Sequence, residues 1–257
     1  MTEDKIALTI ITPCYNEEEV IPFLAETLQT FEADNQQLFE LHYVFVDDGS
    51  KDQTWSLLNQ HFPTSERTQL LQHAQNRGIA GAIISGFQAV RTEYVAVIDS
   101  DCTFHPRQLT DMIELMDERV DVVTSSPLHS AGAMQNVPAW RQAMSYGAAY
   151  LYKLVLREQL TSYTSCFRIF RSEAIRDLRL SNYGFCGVTE ILARLDMQGR
   201  HFVEYPAVLG TREYGQSKIN TLKTIGDHLQ MVGKIILAKW FSRPLHDLPL
   251  PPLNHGN

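Results

Sequence analysis

Two acidic clusters stand at the ends of short apolar runs. Val44-Phe45-Val46 leads into Asp47-Asp48-Gly49-Ser50, and Val95-Ala96-Val97-Ile98 leads into Asp99-Ser100-Asp101. Runs this short and rich in β-branched residues read as buried parallel strands. In open α/β sheets, ligands sit outside the carboxyl ends of the strands. A carboxylate at Asp47 or Asp48 can accept hydrogen bonds from a base or ribose, although Asp-Gly is also ordinary turn chemistry. Two adjacent carboxylates repel, which makes them an unusual choice for a turn alone. Asp99 and Asp101 stand at i, i+2, so in extended chain they point the same way. Both can approach one Mg²⁺ or Mn²⁺, an ion that binds through one or two carboxylates plus substrate phosphates. The plain alternative is a strand-to-loop transition.

Three further segments carry candidate chemistry. Pro13-Cys14-Tyr15-Asn16-Glu17-Glu18 follows the first apolar strand. It reads either as a helix start or as a loop that turns its backbone and ring to a nucleotide. In Arg212-Glu213-Tyr214-Gly215-Gln216-Ser217-Lys218, two cations flank a glycine and a hydroxyl. Such a set can hold phosphate oxygens through charge-assisted bonds, or it is a solvated turn. Arg168 and Arg171, at i, i+3, face opposite sides if their segment is a strand, one structural and the other functional.

The elements that must position these groups follow from periodicity and punctuation. Ile6 to Thr12 is a strand closed by Pro13, and Asn16 caps a helix with Glu17, Glu18 and Glu19 in its first turn. Leu41 to Val46 is the second strand, and Asp52 caps the next helix. Gln69 to His73 is a third strand, Ala80 to Val90 a helix, Tyr94 to Ile98 a fourth strand and Val120 to Thr124 a fifth, with a helix opening at Pro106 between the last two. Alternation of this kind marks a parallel sheet. The remainder differs: a polar loop from Ser130 to Asn136, a tyrosine-rich helix from Val137 to Arg157, then short segments around Phe167 to Phe170, Val188 to Leu195 and Phe202 to Tyr205. The expected organisation is a nucleotide half at 1–125, an acceptor half at 126–242 and an extended tail at 243–257.

Composition sets the bounds. The chain has 257 residues, 44% hydrophobic and 20% charged, with a formal charge of −8. That is globular composition, and without a basic run it argues against a nucleic-acid partner. Cys14, Cys102, Cys166 and Cys186 show no CxxC spacing, and the N-terminus lacks a secretory signal, so free thiols in a reducing cytoplasm are expected. No apolar stretch approaches the ~20 residues of a spanning helix. Met231 to Phe241 is either a core helix or an interfacial one, with Lys234, Lys239 and Trp240 at headgroup level.

In order, the motifs PCYNEE, VFVDDGSKDQT, VIDSD followed by HP, SCFRIFR, EILAR and REYGQSKIN resemble those of family-2 inverting glycosyltransferases. Within that family the chain is most similar to dolichol-phosphate mannosyltransferases and related polyprenyl-phosphate glycosyltransferases, over about residues 6 to 225. The resemblance implies a GT-A fold, one Rossmann-like, mostly parallel α/β sheet with an acceptor-side helical extension. It implies that Pro13, Tyr15, Glu17 and Asp47, with Asp48 beside it, face the nucleotide. Asp99 and Asp101 would hold the metal and sugar diphosphate, and Arg212, Ser217 and Lys218 would close over the phosphates. Glu190 and Arg141 would lie near the acceptor, and Arg168 is a further acceptor candidate.

The implied reaction is metal-dependent transfer of a hexose, of mannose type, from a GDP- or UDP-linked sugar to a polyprenyl phosphate. A phosphate acceptor needs no general base. A hydroxyl acceptor does, and Glu190 is one candidate carboxylate. The chain departs from its relatives where Pro127-Leu128-His129 replaces a frequent Arg-Tyr, at Tyr163 and Cys166, and at Thr103, a weaker third metal ligand. Two alternatives therefore stand: a soluble glycosyltransferase acting on a saccharide or small-molecule hydroxyl, and a non-catalytic nucleotide-sugar-binding subunit. Peripheral contact with the cytoplasmic membrane face, a membrane partner subunit and a homo-oligomer also remain open.

Overall fold

The computed structural model describes residues 5–212 and 221–241. Ser217, Lys218 and the tail expected at 243–257 lie outside the described residues.

The chain alternates strand and helix as its periodicity predicts. Strand β1 (Ile6–Cys14), helix α1 (Ile21–Asn35), β2 (Phe39–Asp47), α2 (Thr54–His61), β3 (Thr68–Gln72), α3 (Ile79–Ala89) and β4 (Tyr94–Val97) come first. Helix α4 (Gln108–Glu114), β5 (Val122–Ser126), the two-residue β6 (Ala133–Met134) and α5 (Ala139–Lys153) follow. Then come β7 (Arg168–Arg171), α6 (Ser172–Ile175), α7 (Phe185–Met197), β8 (Phe202–Pro206), β9 (Val208–Leu209) and α8 (Thr221–Phe241).

Seven strands form one sheet in the order β3-β2-β1-β4-β7-β5-β8. All neighbours are parallel except β7, which runs antiparallel between β4 and β5. The sheet is buried on both faces, so its strands read as apolar runs rather than alternating ones. Successive side chains nevertheless feed different cores. Ile11, Val44, Val46, Val95 and Val97 pack under α3, α5, α7 and α8, whereas Leu8, Ile10, Phe45, Ala96 and Ile98 pack under α1, α2 and α4.

Strand order reverses at β1. The chain proceeds outward through β2 and β3, then returns to place β4 on the other side of β1. The crevice at such a switch point is where an open α/β sheet receives ligand. Register brings the ends of the strands level there: Cys14 lies opposite Asp47, and the Ile98 amide donates to the Ile11 carbonyl at 3.0 Å.

The first loop differs from expectation. Strand β1 continues through Pro13, which is buried opposite Val46, and α1 begins only at Ile21 with Pro22 in its first turn and no acidic residue there. Asn16 does not cap it. Asn16 has a positive φ of 51°, a left-handed turn that asparagine tolerates. The amides of Asn16, Glu17 and Glu18 donate across to Ser50 Oγ, Thr54 Oγ1 and Asp52 Oδ2 at 2.9, 2.7 and 3.2 Å. Two loops from neighbouring strands thus zip together, and that lateral pairing outcompetes a helix start. Asp52 does serve the start of α2, accepting from the Thr54 amide at 3.0 Å and hydroxyl at 2.6 Å.

Candidate active site

Four loops converge at the carboxyl edge: 14–18 after β1, 47–53 after β2, 73–78 after β3 and 99–103 after β4. The second is tied to the third through Asp48. Its Oδ1 accepts from the Arg77 amide at 2.9 Å and shares a 2.6 Å hydrogen bond with His73 Nδ1, while its Oδ2 accepts from the Gly78 amide at 2.7 Å. His73 Nε2 continues to Ser85 Oγ at 2.9 Å. Gly49 and Gly78 make this fit: both have positive φ, and a Cβ would lie 2.6 Å from the Gln75 carbonyl carbon or 2.5 Å from the Tyr183 oxygen.

Asp48 was expected beside the nucleotide. Its carboxylate is instead committed to the 73–78 loop, because consecutive residues of extended chain point opposite ways. Asp47 takes the other direction. It is fully buried, and its oxygens accept from the Ser50 amide and Gln72 Nε2, both at 3.0 Å. Gln72, His73 and Arg77 carry no chemical signature in sequence. They meet the first acidic cluster only through the β2–β3 register.

The Asp99-Ser100-Asp101 cluster is the centre of charge. Asp101 is buried, and its two oxygens have separate duties. Oδ1 accepts from the Thr103 amide and hydroxyl, both at 3.0 Å. Oδ2 pairs with the Arg212 guanidinium at 2.5 Å. Asp99 is held from the far side by the Cys166 thiol. That contact follows from the antiparallel register, which sets Val97 opposite Arg168 and therefore brings Cys166 level with Asp99. Burial, then the Asp101 charge, push the Asp99 carboxyl well above its ordinary value; Arg212 and Cys166 pull it back and Glu17 adds to the rise. Glu17, Asp99, Asp101 and Arg212 therefore share one field. Burial, and after it the Asp99 charge, raise the Cys166 thiol far above its usual range, so it stays protonated.

This donor set fits a hard divalent cation. Two carboxylates converge, a guanidinium already balances their charge, and Mg²⁺-type ions take one or two protein carboxylates and fill the rest with water and phosphate. Among the described residues no group of three or more His, Cys, Asp or Glu is arranged as a complete metal cage.

The acceptor candidates fare differently. Arg168 is 1% exposed, and its guanidinium donates to Thr124 Oγ1 at 3.1 Å, the Val188 carbonyl at 2.9 Å and the Tyr163 carbonyl at 2.8 Å. Burial brings it down to about 10, with Cys166 and Asp99 opposing, so it remains a cation at neutral pH. It is a core residue, as the strand reading of Arg168 and Arg171 allows; Arg171 lies on the other face and pairs with Glu93 at 2.8 Å. Glu190 is equally enclosed. It pairs with Arg194 at 2.5 Å and accepts from the Ser181 and Asn182 amides at 2.7 and 2.8 Å. This pins the 181–184 loop, whose Tyr183 carbonyl accepts from the Gly81 amide of α3 at 3.1 Å. Both side chains are thus buried, with their polar atoms engaged by neighbouring loops and helices. Arg141 is exposed at the start of α5, with its guanidinium 5.2 Å from the Trp140 ring centre. Tyr15 and Glu17 stay partly exposed in the first loop.

A separate cleft of about 620 Å³ opens at the opposite end of the strands, among Thr9, His42, Arg67 and Arg91. Its Arg67 pairs with Glu32 and its His42 with Glu40, and it shares no residue with the carboxyl edge.

A seven-stranded, mostly parallel sheet with acidic strand ends at its switch point is the GT-A architecture of a glycosyltransferase. The chain belongs to glycosyl transferase family 2, whose model matches residues 9–179. It is 28% identical to a dolichol-phosphate mannosyltransferase of Pyrococcus furiosus over 91% of its own length and 64% of that protein's, so it spans just under two thirds of that relative. It is 25% identical to a polyprenol monophosphomannose synthase of Mycolicibacterium smegmatis over 82% of this chain and 80% of that one. It is 29% identical to an undecaprenyl-phosphate mannosyltransferase of Micrococcus luteus over 83% and 87%. Among solved structures, glucosyl-3-phosphoglycerate synthase from Mycobacterium tuberculosis, in complex with Mn²⁺, UDP and phosphoglyceric acid, superposes with a TM-score of 0.66 at 17% identity, covering 97% of this chain and 81% of that one.

Proposed function

We propose that this glycosyltransferase moves a hexose, of mannose type, from a nucleotide sugar to a polyprenyl phosphate with Mg²⁺ or Mn²⁺ as cofactor. The observation that carries the donor half is the neighbouring Asp99 and Asp101 carboxylates at the switch point, with the Arg212 guanidinium paired to Asp101. Asp99 and Asp101 would hold the cation, which when bound supplies Lewis-acid neutralisation of the diphosphate. Arg212, Ser217 and Lys218 bind phosphate oxygens as the nucleoside diphosphate leaves, and such preorganised charge is usually the largest catalytic contribution. Tyr15, Glu17 and Asp47 line the nucleotide side.

Two features favour a lipid phosphate over a hydroxyl acceptor. A hydroxyl must surrender a proton to a positioned base, and Glu190, the carboxylate considered for that task, is sealed in the core by Arg194. A phosphate oxygen is already ionised and needs only orientation, for which Arg141 is exposed. Second, α5 and α8 pack together through a 2.7 Å bond between Tyr152 Oη and His228 Nδ1, and both leave large apolar side chains in solvent. Tyr146 and Tyr150 on α5, Leu154 just after it, and Leu229, Ile236, Leu237, Trp240 and Phe241 on α8 are all about half exposed or more. Aromatic and aliphatic groups mixed with Lys239 and Arg141 suit a headgroup boundary. No helix among the described residues is long and apolar enough to cross a membrane. Peripheral contact at the membrane face is the arrangement this supports.

The test is transfer from labelled GDP-mannose, with UDP-glucose in parallel, to a short-chain prenyl phosphate in Mn²⁺. Label should move to the prenyl phosphate and stop moving in excess chelator. Transfer to free saccharides but not to prenyl phosphate overturns the acceptor assignment, and full activity in chelator overturns the cofactor.

A further inference from the structure

Arg212 stands where a cation would stand. Thr103 fixes Asp101 Oδ1 through two hydrogen bonds, which leaves Oδ2 as the oxygen available to a cation. The Arg212 guanidinium occupies that oxygen and also lowers the cost of charge on Asp99. Its side chain is 38% exposed whereas that of Asp101 is 3% exposed, so the arginine can withdraw into solvent and the carboxylate cannot follow. A divalent ion and a guanidinium cannot share the same carboxylate oxygen without strong repulsion.

We propose, on the donor-site assignment above, that Arg212 is the counterion of Asp101 in the metal-free protein and is displaced by the entering cation. The freed guanidinium then becomes a ligand of the nucleoside diphosphate. Cation alone must break the ion pair, so it binds weakly. Cation with diphosphate gives the displaced arginine a new partner, so the two bind with positive coupling. Linkage makes this reciprocal: diphosphate tightens cation by the same factor that cation tightens diphosphate, typically about 5–150-fold. Arg212 is thus a specificity device, loading the site only with the metal–diphosphate pair.

The test is Mn²⁺ binding by titration calorimetry to the full chain, with and without saturating GDP or UDP, for wild type, Arg212→Ala and Arg212→Gln. Removing the guanidinium should tighten Mn²⁺ alone by roughly fivefold or more and weaken Mn²⁺ in the presence of the diphosphate, so that most of the coupling factor disappears. Opposite signs are the mark of displacement. If Arg212 acts only through long-range repulsion, both affinities rise together. That result, or unchanged Mn²⁺ affinity without nucleotide, overturns the proposal. Removing Arg212 leaves buried Asp101 and its neighbour Asp99 without their cation, so each variant's thermal midpoint is measured first and the titrations are run well below it. No acceptor enters these measurements, so a failed prenyl-phosphate assay and a failed displacement are separate outcomes.

Discussion

Arg168 illustrates how packing can absorb a residue whose type suggests chemistry. An arginine that closely follows a serine and a cysteine, at the start of a strand, invites a phosphate-binding role. Its three donors are instead taken by Thr124, Val188 and Tyr163, far apart in sequence. Buried groups that lose a partner bear the full desolvation cost, about 1–3 kcal/mol each. Arg168→Met should therefore lower stability by about 3 kcal/mol or more, read as a shift in the urea midpoint. A variant of wild-type stability that loses only acceptor transfer would instead make Arg168 a ligand. Asp48 follows the same logic. Asp47 and Asp48 look equivalent as a pair, yet the β2–β3 register gives one the amides of Arg77 and Gly78 and leaves the other beside Gln72.

At the scale of elements, the three-helix contact of α5, α7 and α8 carries a titratable group. His228 on α8 is buried against Tyr152 of α5 and Cys186 of α7. Burial holds its imidazole below the usual 6.5, with the Asp227 carboxylate opposing. A base whose folded value is depressed contributes stability that is complete above the unfolded value and is lost as pH falls through the folded one. The thermal midpoint should thus begin to drop below about pH 6.5, before most carboxylates protonate at about pH 4. His228→Gln should be less stable at pH 8 and show a flatter decline between pH 7 and 5.5. An identical slope in the two proteins would remove His228 from the account. The first loop teaches a related lesson. Glu17, Glu18 and Glu19 make a good first helical turn on local grounds, but amides that bond to Ser50, Thr54 and Asp52 keep the segment out of the helix.

At the scale of the whole molecule, two kinds of surface lie in different places. The sheet's carboxyl edge gathers charge, and the outer surfaces of α5 and α8 gather exposed apolar groups. Trp240 is 81% exposed and Phe241 60%. Each such side chain is worth about 1.5–3 kcal/mol when fully buried. Trp240→Ser with Phe241→Ser should therefore reduce flotation with phospholipid vesicles at least roughly tenfold while leaving hydrolysis of the nucleotide sugar in solution unchanged. Wild-type protein that ignores vesicles but self-associates through this surface would mark it as an interface between copies of the chain.

Sequence alone determined the alternation of strands and helices, the two acidic strand ends and the order of motifs that places the chain in its family. These are local properties: a period of two or 3.6, an apolar run, a carboxylate at its end. Only the tertiary structure decided what each charged group does. Asp48 reaches 73–78, Glu190 clasps Arg194 and the 181–184 loop, Arg168 ties a strand, a helix and a loop together, and Arg212 lands on Asp101. Most of these partnerships join residues brought together by register and by crossing connections, and Glu190, whose partners are near in sequence, is sealed by the core around its helix. A carboxylate or guanidinium announces its charge in the sequence, but burial and the choice of partner are set when the chain closes around it.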